Sequence, residues 1–224
     1  MALWTVRPCS SLAQGAILAP ERYDPRREAL SRPHDALSLG AVAQSVCELV
    51  SPRKQDARRY LIIDTSHSRD GILYSRPPPT GIESVGSAKK LARPGDVLIS
   101  RLRPYLRQIA YVDADLPGFA DNVLIACSTE YFVLRSADQA SISFLVPFFL
   151  SPAVQRILAA AQEGGHHPRV GLETILNLPL PPSLVASRAA LGQKVEAALR
   201  CYRQAERELR QLTQTAAADL ASYL

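Results

Sequence analysis

The chain has 224 residues, of which 47% are hydrophobic and 21% are charged. This balance is typical of a globular protein with a sizeable core, and it excludes a disordered or fibrous chain. The longest uninterrupted apolar run, Phe144 to Leu150, is far shorter than the about 20 residues that a membrane-spanning helix needs. The first residues also lack the pattern of an export signal. The sequence therefore predicts a cytoplasmic protein with no membrane span.

Positive charge is concentrated in the first half of the chain. Residues 1–110 carry 17 Lys and Arg against 10 Asp and Glu, a balance of +7, whereas residues 111–224 carry 9 against 11, a balance of −2. Such asymmetry favours binding to a polyanion, because neutralising phosphates releases condensed counterions. A chain rich in Arg and Ala also arises from a GC-rich coding sequence, so charge alone leaves nucleic-acid binding as one of two interpretations.

The first two thirds of the chain divide into an arm and a sheet. Frequent prolines in residues 1–35 exclude a long helix or a central strand and predict an N-terminal arm lying over a domain. From about Ala36, short β-rich runs bounded by Gly, Pro, Asp and Ser predict strands. They predict an α+β domain with a curved, barrel-like sheet. The predicted strands are Tyr60–Ile63, Asp96–Ser100, Gln108–Val112, Val123–Ala126 and Glu130–Leu134.

Helices follow the strands. Ser151-Pro152 is a strong helix start, with Ser as the N-cap and Pro in the first turn, and the helix should end at Gly164-Gly165. A preceding helix is predicted from Ser143 to Leu150. A short helical turn over Leu172–Asn177 and an extended segment over residues 178–182 should close the domain.

The last forty residues predict one long helix, from about Ser187 to Tyr223. At about 1.5 Å per residue it would be roughly 55 Å long, which is more than a domain of this size covers. Its apolar positions recur with the 3.5-residue period of a coiled coil, and this seam predicts a partner helix. The alternative is that the helix folds back on its own domain. The seam consists of Leu191, Val195, Ala198, Tyr202, Ala205, Leu209, Leu212 and Ala216.

No catalytic, metal or cofactor motif is predicted. Gly81–Lys89 differs from a phosphate-binding loop because two residues separate the second Gly from the Lys. His166 and His167 have no Cys or further His at metal-ligand spacing, so we interpret them as part of a polar loop. The dispersed aspartates could supply the metal ligands of a nuclease, but no adjacent Glu-x-Lys sequence accompanies them. Pro181-Pro182 lacks the flanking residues of a methyltransferase site.

The strongest binding feature is the run from Ser100 to Arg107 between two predicted strands. One loop would display Arg101, Arg103 and Arg107 together with Tyr105. In such a loop, arginine can contact guanine or phosphate, and tyrosine can contact the sugar or phosphate of the DNA. The alternative is a solvated hairpin tip. Further basic residues would extend a DNA-binding surface, although charge runs are usually solvated faces. These are Arg53, Lys54, Arg58, Arg59, Lys89 and Lys90.

Four segments, taken in order, resemble the target-recognition domain of type I restriction-modification specificity subunits. The resemblance runs from about Ala36 to the C-terminus and ends in the long helix. It implies a non-catalytic subunit without a cofactor, with an arm at 1–35, a recognition domain at 36–182 and a coiled-coil helix at 183–224. The segments are Pro94–Tyr105, Ser128–Arg135, Gly164–Val170 and Ile175–Pro182.

The resemblance also implies a role in restriction or phage defence. The domain would read one half of a split target in double-stranded DNA, and the helix would dock an adenine-specific DNA methyltransferase subunit. Only one domain and one helix are present, which implies a homodimer or pairing with a second specificity half. Ser183–Arg188 lacks the Gln that commonly follows the double proline, so a different defence-system enzyme is an alternative partner. A protein-interaction scaffold without sequence-specific DNA binding is the rival function.

Overall fold

The computed structural model describes residues 6, 8, 9, 36–51, 57–74, 78–164 and 166–221. The predicted N-terminal arm, except for residues 6, 8 and 9, lies outside this range. In the described part, no helix has the length and apolar character needed to cross a membrane.

The strands and helices of the described residues follow the predicted order, with strands first and helices afterwards. The strands are β1 (Leu37–Ser38), β2 (Ala43–Val46), β3 (Leu49–Val50), β4 (Arg59–Ile63), β5 (Ser68–Arg69), β6 (Ile72–Leu73), β7 (Lys89–Ala92), β8 (Val97–Ser100), β9 (Ile109–Tyr111), β10 (Val123–Cys127), β11 (Tyr131–Ser136) and β12 (Pro179–Leu180). The helices are α1 (Leu145–Leu150), α2 (Pro152–Ala160), α3 (Leu172–Leu176), α4 (Pro182–Ala186) and α5 (Arg188–Ala221).

Two four-stranded sheets form the body of the protein. The outer sheet has the order β3-β7-β10-β4, and the central sheet has the order β2-β11-β8-β9. Pairing is antiparallel except between β10 and β4, which are parallel. The α+β class is confirmed, but among the described strands neither sheet closes into a barrel. The strands are short, and they form two open sheets that share a core.

The alternation of side chains explains why the central sheet is buried on both faces. In β11, Tyr131 and Val133 contact a core shared with the outer sheet, whereas Phe132 and Leu134 contact a second core beneath the helices. Because successive side chains of a strand point to opposite faces, a strand with no polar alternation is covered on both sides. The layers are therefore outer sheet, central sheet and helices.

The predicted helix start at Ser151 is confirmed. Its hydroxyl oxygen accepts a hydrogen bond from the backbone N–H of Val154 at 3.3 Å, and Pro152 occupies the first turn. Such a cap satisfies one of the N–H groups that have no partner inside the helix. The helices predicted over Ser143–Leu150 and Leu172–Asn177 are also present, as α1 (Leu145–Leu150) and α3 (Leu172–Leu176).

Helix α5 has two halves with different surroundings. In the first half, Leu191 and Val195 pack against the core under the central sheet, and Leu199 is buried. Beyond Glu206 every described side chain is exposed. The second half, residues 207–221, extends about 22 Å from the domain at about 1.5 Å per residue. The helix thus folds back on its own domain over one half only.

Polar contacts fix the orientation of the first half. The backbone carbonyl of Gly192 accepts a hydrogen bond from Ser143 Oγ at 3.2 Å, and Glu196 Oε1 accepts one from the same hydroxyl at 3.1 Å. Two turns further along, the guanidinium of Arg203, with no exposed surface, donates to both carboxylate oxygens of Asp113 at 2.8–3.2 Å. Positions 192, 196 and 203 lie on one face of the helix. The helix is therefore docked at a defined angle.

Candidate nucleic-acid interface

The run after β8 forms a tight loop that displays its side chains. Arg103 and Arg107 both adopt left-handed backbone conformations, with φ of 48° and 52°, and Pro104–Leu106 between them forms one 3₁₀ turn. Such conformations are uncommon for residues other than glycine and hold the chain in a compact bend. The bend leaves the side chain of Tyr105 58% exposed.

A second loop, distant in sequence, joins the first. The N–H of Arg103 donates to the carbonyl of Pro168 at 2.9 Å, and the N–H of Val170 donates to the carbonyl of Arg101 at 2.9 Å. Leu102 and Arg169 form an isolated antiparallel bridge between these bonds. Two arginine-bearing loops are therefore held side by side. We define the arginine surface as Arg101, Arg103, Tyr105, Arg107 and Arg169.

A single carboxylate links the two loops. Glu130 Oε2 accepts from Nε of Arg101 at 2.9 Å and from Nε of Arg169 at 3.1 Å, and Oε1 accepts from Nη2 of Arg169 at 2.9 Å. The hydrogen bonds from Arg169, and then those from Arg101, lower the pKa of Glu130 to about 2 against the opposing effect of burial. The carboxylate likewise raises the pKa of Arg169. At neutral pH the trio carries one net positive charge.

The remaining two arginines of the surface have separate partners. Arg107 donates from Nε to Asp70 Oδ1 at 2.6 Å, and Nη2 of Arg103 lies 3.2 Å from Nδ1 of His167. Each contact uses part of a guanidinium that carries five N–H donors. The arginines are thus oriented by the protein and retain donors for a ligand.

The low pKa of Glu130 predicts an acid-sensitive contribution to stability. A carboxyl whose pKa is lower in the folded state stabilises the fold above its unfolded pKa, here 4.5, and this stabilisation is lost as the pH falls towards about 2. We expect Glu130→Gln to lower the free energy of unfolding by about 2 kcal/mol at pH 6, and the difference from wild type to shrink by pH 2.5. Urea unfolding at a series of pH values measures this difference, and a gap independent of pH would contradict it.

The two lysines predicted to extend the DNA-binding surface lie at the same end of the sheets as the arginine surface. Lys90 Nζ donates to the carbonyl of Tyr131 at 2.6 Å, next to Glu130, and Lys89 Nζ lies 3.2 Å from Asp64 Oδ1. Both ammonium groups are engaged within the protein. Lys89 has only 14% of its side chain exposed.

The other predicted basic residues are not brought together with the arginine surface. Arg59 begins β4 and pairs with Val123, whereas Lys90 pairs with Cys127 four residues further along β10. At about 3.3 Å per residue the two positions are offset by ~13 Å along the strands, and they lie on opposite sides of β10. Arg58 immediately precedes Arg59, whose guanidinium donates to the carbonyl of Pro79. Arg53 and Lys54 lie outside the described residues.

Three residues of the site were not predicted to be functional: Glu130, His167 and Arg169. These residues lie in two of the motifs that carry the family resemblance, Ser128–Arg135 and Gly164–Val170. Membership of these motifs is the sequence signal that could have identified them. Their roles depend on side-chain contacts across 39 residues in the case of Glu130 and Arg169. Spacing along the chain carries no information about such contacts. Within the described part of the chain, no three His, Cys, Asp or Glu residues are grouped to hold a metal ion.

Comparison with known proteins shows which solved structures have a similar fold. No family model and no curated protein matches the chain. Among solved structures, the chain is similar to the HsdS subunit from Thermoanaerobacter tengcongensis, with 27% identity and a TM-score of 0.53 over 84% of this chain and 50% of that one. The fold of this chain is similar to that of a type I restriction-modification HsdS subunit.

A second solved structure shows the same similarity. It concerns the complex assembly and conformational transition of the type I restriction-modification system, and the chain matches it with 28% identity and a TM-score of 0.55 over 85% of this chain and 50% of that one. The chain thus spans about half the length of the two solved chains to which it is similar. The family resemblance predicted from the four motifs is confirmed.

Proposed function

We propose that this chain is the DNA-recognition subunit of a type I restriction-modification or related phage-defence complex, and that it reads one half of a split target. The observation that carries the proposal is the convergence of two loops, 100–107 and 166–170, on one arginine surface in a chain whose fold is similar to that of an HsdS subunit. The chain would supply recognition, and a methyltransferase partner would supply the chemistry.

The charge and composition of the arginine surface suit duplex DNA. Four arginines against Glu130 and Asp70 leave a balance of +2, and Tyr105 adds an exposed hydroxyl and ring. Arginine provides paired donors for a guanine edge or for phosphate, and tyrosine contacts the backbone. A loop that presents both types of contact can position the protein on the duplex and read bases.

Selection from a randomised duplex library tests this function. The full-length chain with its methyltransferase partner should enrich one bipartite sequence, and binding to that duplex should weaken steeply with salt because phosphates are neutralised. Enrichment of no sequence by an intact complex would favour the rival function, a protein-interaction scaffold that retains the fold.

We propose that helix α5 pairs with a second copy or with a second specificity half, and also contacts an adenine-specific DNA methyltransferase subunit. The division into a recognition domain at 36–182 and a helix at 183–224 is part of this proposal. The exposed second half supports it, since Leu209, Leu212 and Leu220 are 68%, 68% and 66% exposed. A row of exposed leucines along a helix is a surface that a partner covers.

The spacing of the seam favours an antiparallel arrangement of two copies. Because the spacing 4,3,4,3,4,3,4 reads the same in both directions, a two-fold axis places every seam residue opposite another seam residue. Each facing pair then joins side chains of different size, whereas a parallel pair would set alanine against alanine and leave gaps. The facing pairs are Leu191 with Ala216, Val195 with Leu212, Ala198 with Leu209 and Tyr202 with Ala205.

An apolar groove beside the seam supports the same arrangement. Val195, Ala198 and Tyr202 line an open groove of about 250 Å³, whose other wall includes Val146 and Leu150 of α1. An apolar cavity of about 150 Å³ takes up benzene, so this groove has room for leucine side chains. In the antiparallel arrangement these would be Leu209 and Leu212 of the second copy.

Replacing Leu209 and Leu212 together with Glu should give monomers in sedimentation velocity. The charges would enter an apolar seam, where unpaired carboxylates are strongly unfavourable. Gln211→Glu with Gln214→Glu is the matched control, because it adds the same charge at exposed positions outside the seam. An assembly that resists the leucine substitutions, or dissociates equally with the control, would contradict the proposed pairing.

A further inference from the structure

Arg169 has its guanidinium committed to the protein. Nε and Nη2 both donate to Glu130, and Nη1 donates to the carbonyl of His167 at 3.4 Å. All three nitrogens therefore have partners within the chain. Arg169 is positioned to hold Glu130 and to neutralise its charge.

Arg101 is held differently by the same carboxylate. Its Nε donates to Glu130 at 2.9 Å, and its backbone is fixed on both sides, through its N–H to the carbonyl of Glu130 and through its carbonyl to the N–H of Val170. Among the described residues no protein atom accepts a hydrogen bond from its Nη1 or Nη2. The side chain is 41% exposed. Its outer edge is thus a fixed pair of donors that remains available.

We infer that Glu130 is a positioning residue that fixes Arg101 as the base-reading arginine of the surface, with a guanine edge as its ligand. This inference rests on the proposed DNA-recognition function. A guanine presents O6 and N7 as two neighbouring acceptors, which match the paired Nη donors of a guanidinium held in one orientation. A site that must discriminate between bases needs its reading side chain locked by supporting contacts.

The position of Glu130 distinguishes base reading from simple phosphate binding. A carboxylate inside a DNA-binding surface repels phosphates and lowers the affinity for every sequence. A phosphate contact requires positive charge rather than a locked orientation. The carboxylate therefore opposes general affinity, and its contribution is the orientation of Arg101. Arg169 limits this repulsion because it neutralises the charge of the Glu130 carboxylate.

This arrangement predicts that Glu130→Gln lowers selectivity without lowering general affinity for duplex DNA. The full-length chain with its methyltransferase partner is presented with a randomised duplex library, and then with the enriched duplex and a scrambled one. We expect the preference for the enriched duplex over the scrambled one to fall about tenfold, with relaxed choice at one G·C position. Binding to the scrambled duplex should be unchanged or tighter.

Two further variants separate orientation from folding and charge. Arg101→Lys keeps the positive charge but removes the paired N–H donors of the guanidinium. It should therefore reduce selectivity at the same G·C position, while the salt dependence of binding stays as in wild type. Glu173→Gln makes the same chemical change at an exposed carboxylate on α3 and should leave selectivity unaltered. Thermal unfolding checks that every variant is folded.

The outcomes are distinct. Loss of choice at one shared G·C position in Glu130→Gln and Arg101→Lys supports the inference. The inference is overturned if the wild-type complex enriches a sequence but both variants bind all duplexes more weakly to the same degree. Arg101 would then be a phosphate contact. A wild-type complex that enriches nothing overturns the proposed function and this inference with it.

Discussion

Replacing Arg203 with methionine should lower the free energy of unfolding by about 3–5 kcal/mol, the cost typical of removing one partner from a buried ion pair. Arg203 has no exposed surface, and Asp113, only 7% exposed, depends on it for three hydrogen bonds. Without the guanidinium, the carboxylate stays buried without its partner. Since this pair attaches α5 to the loop after β9, the helix should also lose its fixed orientation.

Urea unfolding of the full-length chain measures the effect, with two comparisons. Arg203→Met combined with Asp113→Leu should recover most of the loss, because a buried pair replaced by apolar side chains is often neutral or stabilising. Arg200→Met makes the same substitution at an exposed position of the same helix and should change stability by less than about 0.5 kcal/mol. Equal costs at positions 200 and 203 would show that the ion pair contributes nothing.

Replacing Arg101, Arg103 and Arg107 together with alanine should weaken binding to the target duplex by at least about a hundredfold. A base-reading arginine contributes about 1–3 kcal/mol and a phosphate-binding arginine reduces the salt slope by about one. Single alanine variants measured over a salt series assign each arginine to one of these classes. The fold should persist, because exposed ion pairs such as Arg107 with Asp70 contribute little to stability.

The matched control removes the same charge elsewhere. Arg200, Arg207 and Arg210 are exposed on α5, and their replacement with alanine should reduce duplex binding far less. A triple loop variant that still binds its methyltransferase partner and DNA with wild-type affinity would contradict the proposal. The recognition surface would then include Arg58 and Arg59 or Lys89 and Lys90.

Long elements with a clear period were predictable from the sequence. Runs such as Val97–Ser100 and Tyr131–Ser136 are rich in β-branched and aromatic residues, and Ser151-Pro152 carries its own capping chemistry. The two-residue strands β1 and β12 were not predictable, because they are too short to show a period and their pairing joins residues 37 and 180. For the same reason the sequence indicated one barrel-like sheet where two open sheets are present.

The run of arginines after β8 and the 4,3 spacing of apolar residues along α5 are properties that the sequence determined by itself, because they depend on residue type and local spacing. Only the tertiary structure decided that Glu130 joins Arg101 to Arg169, and that Arg203 pairs with Asp113 across 90 residues. The tertiary structure also decided which half of α5 the domain covers. The physical reason is that an ion pair or a buried helix face depends on which distant side chain lies within a few ångströms, and chain packing sets that distance.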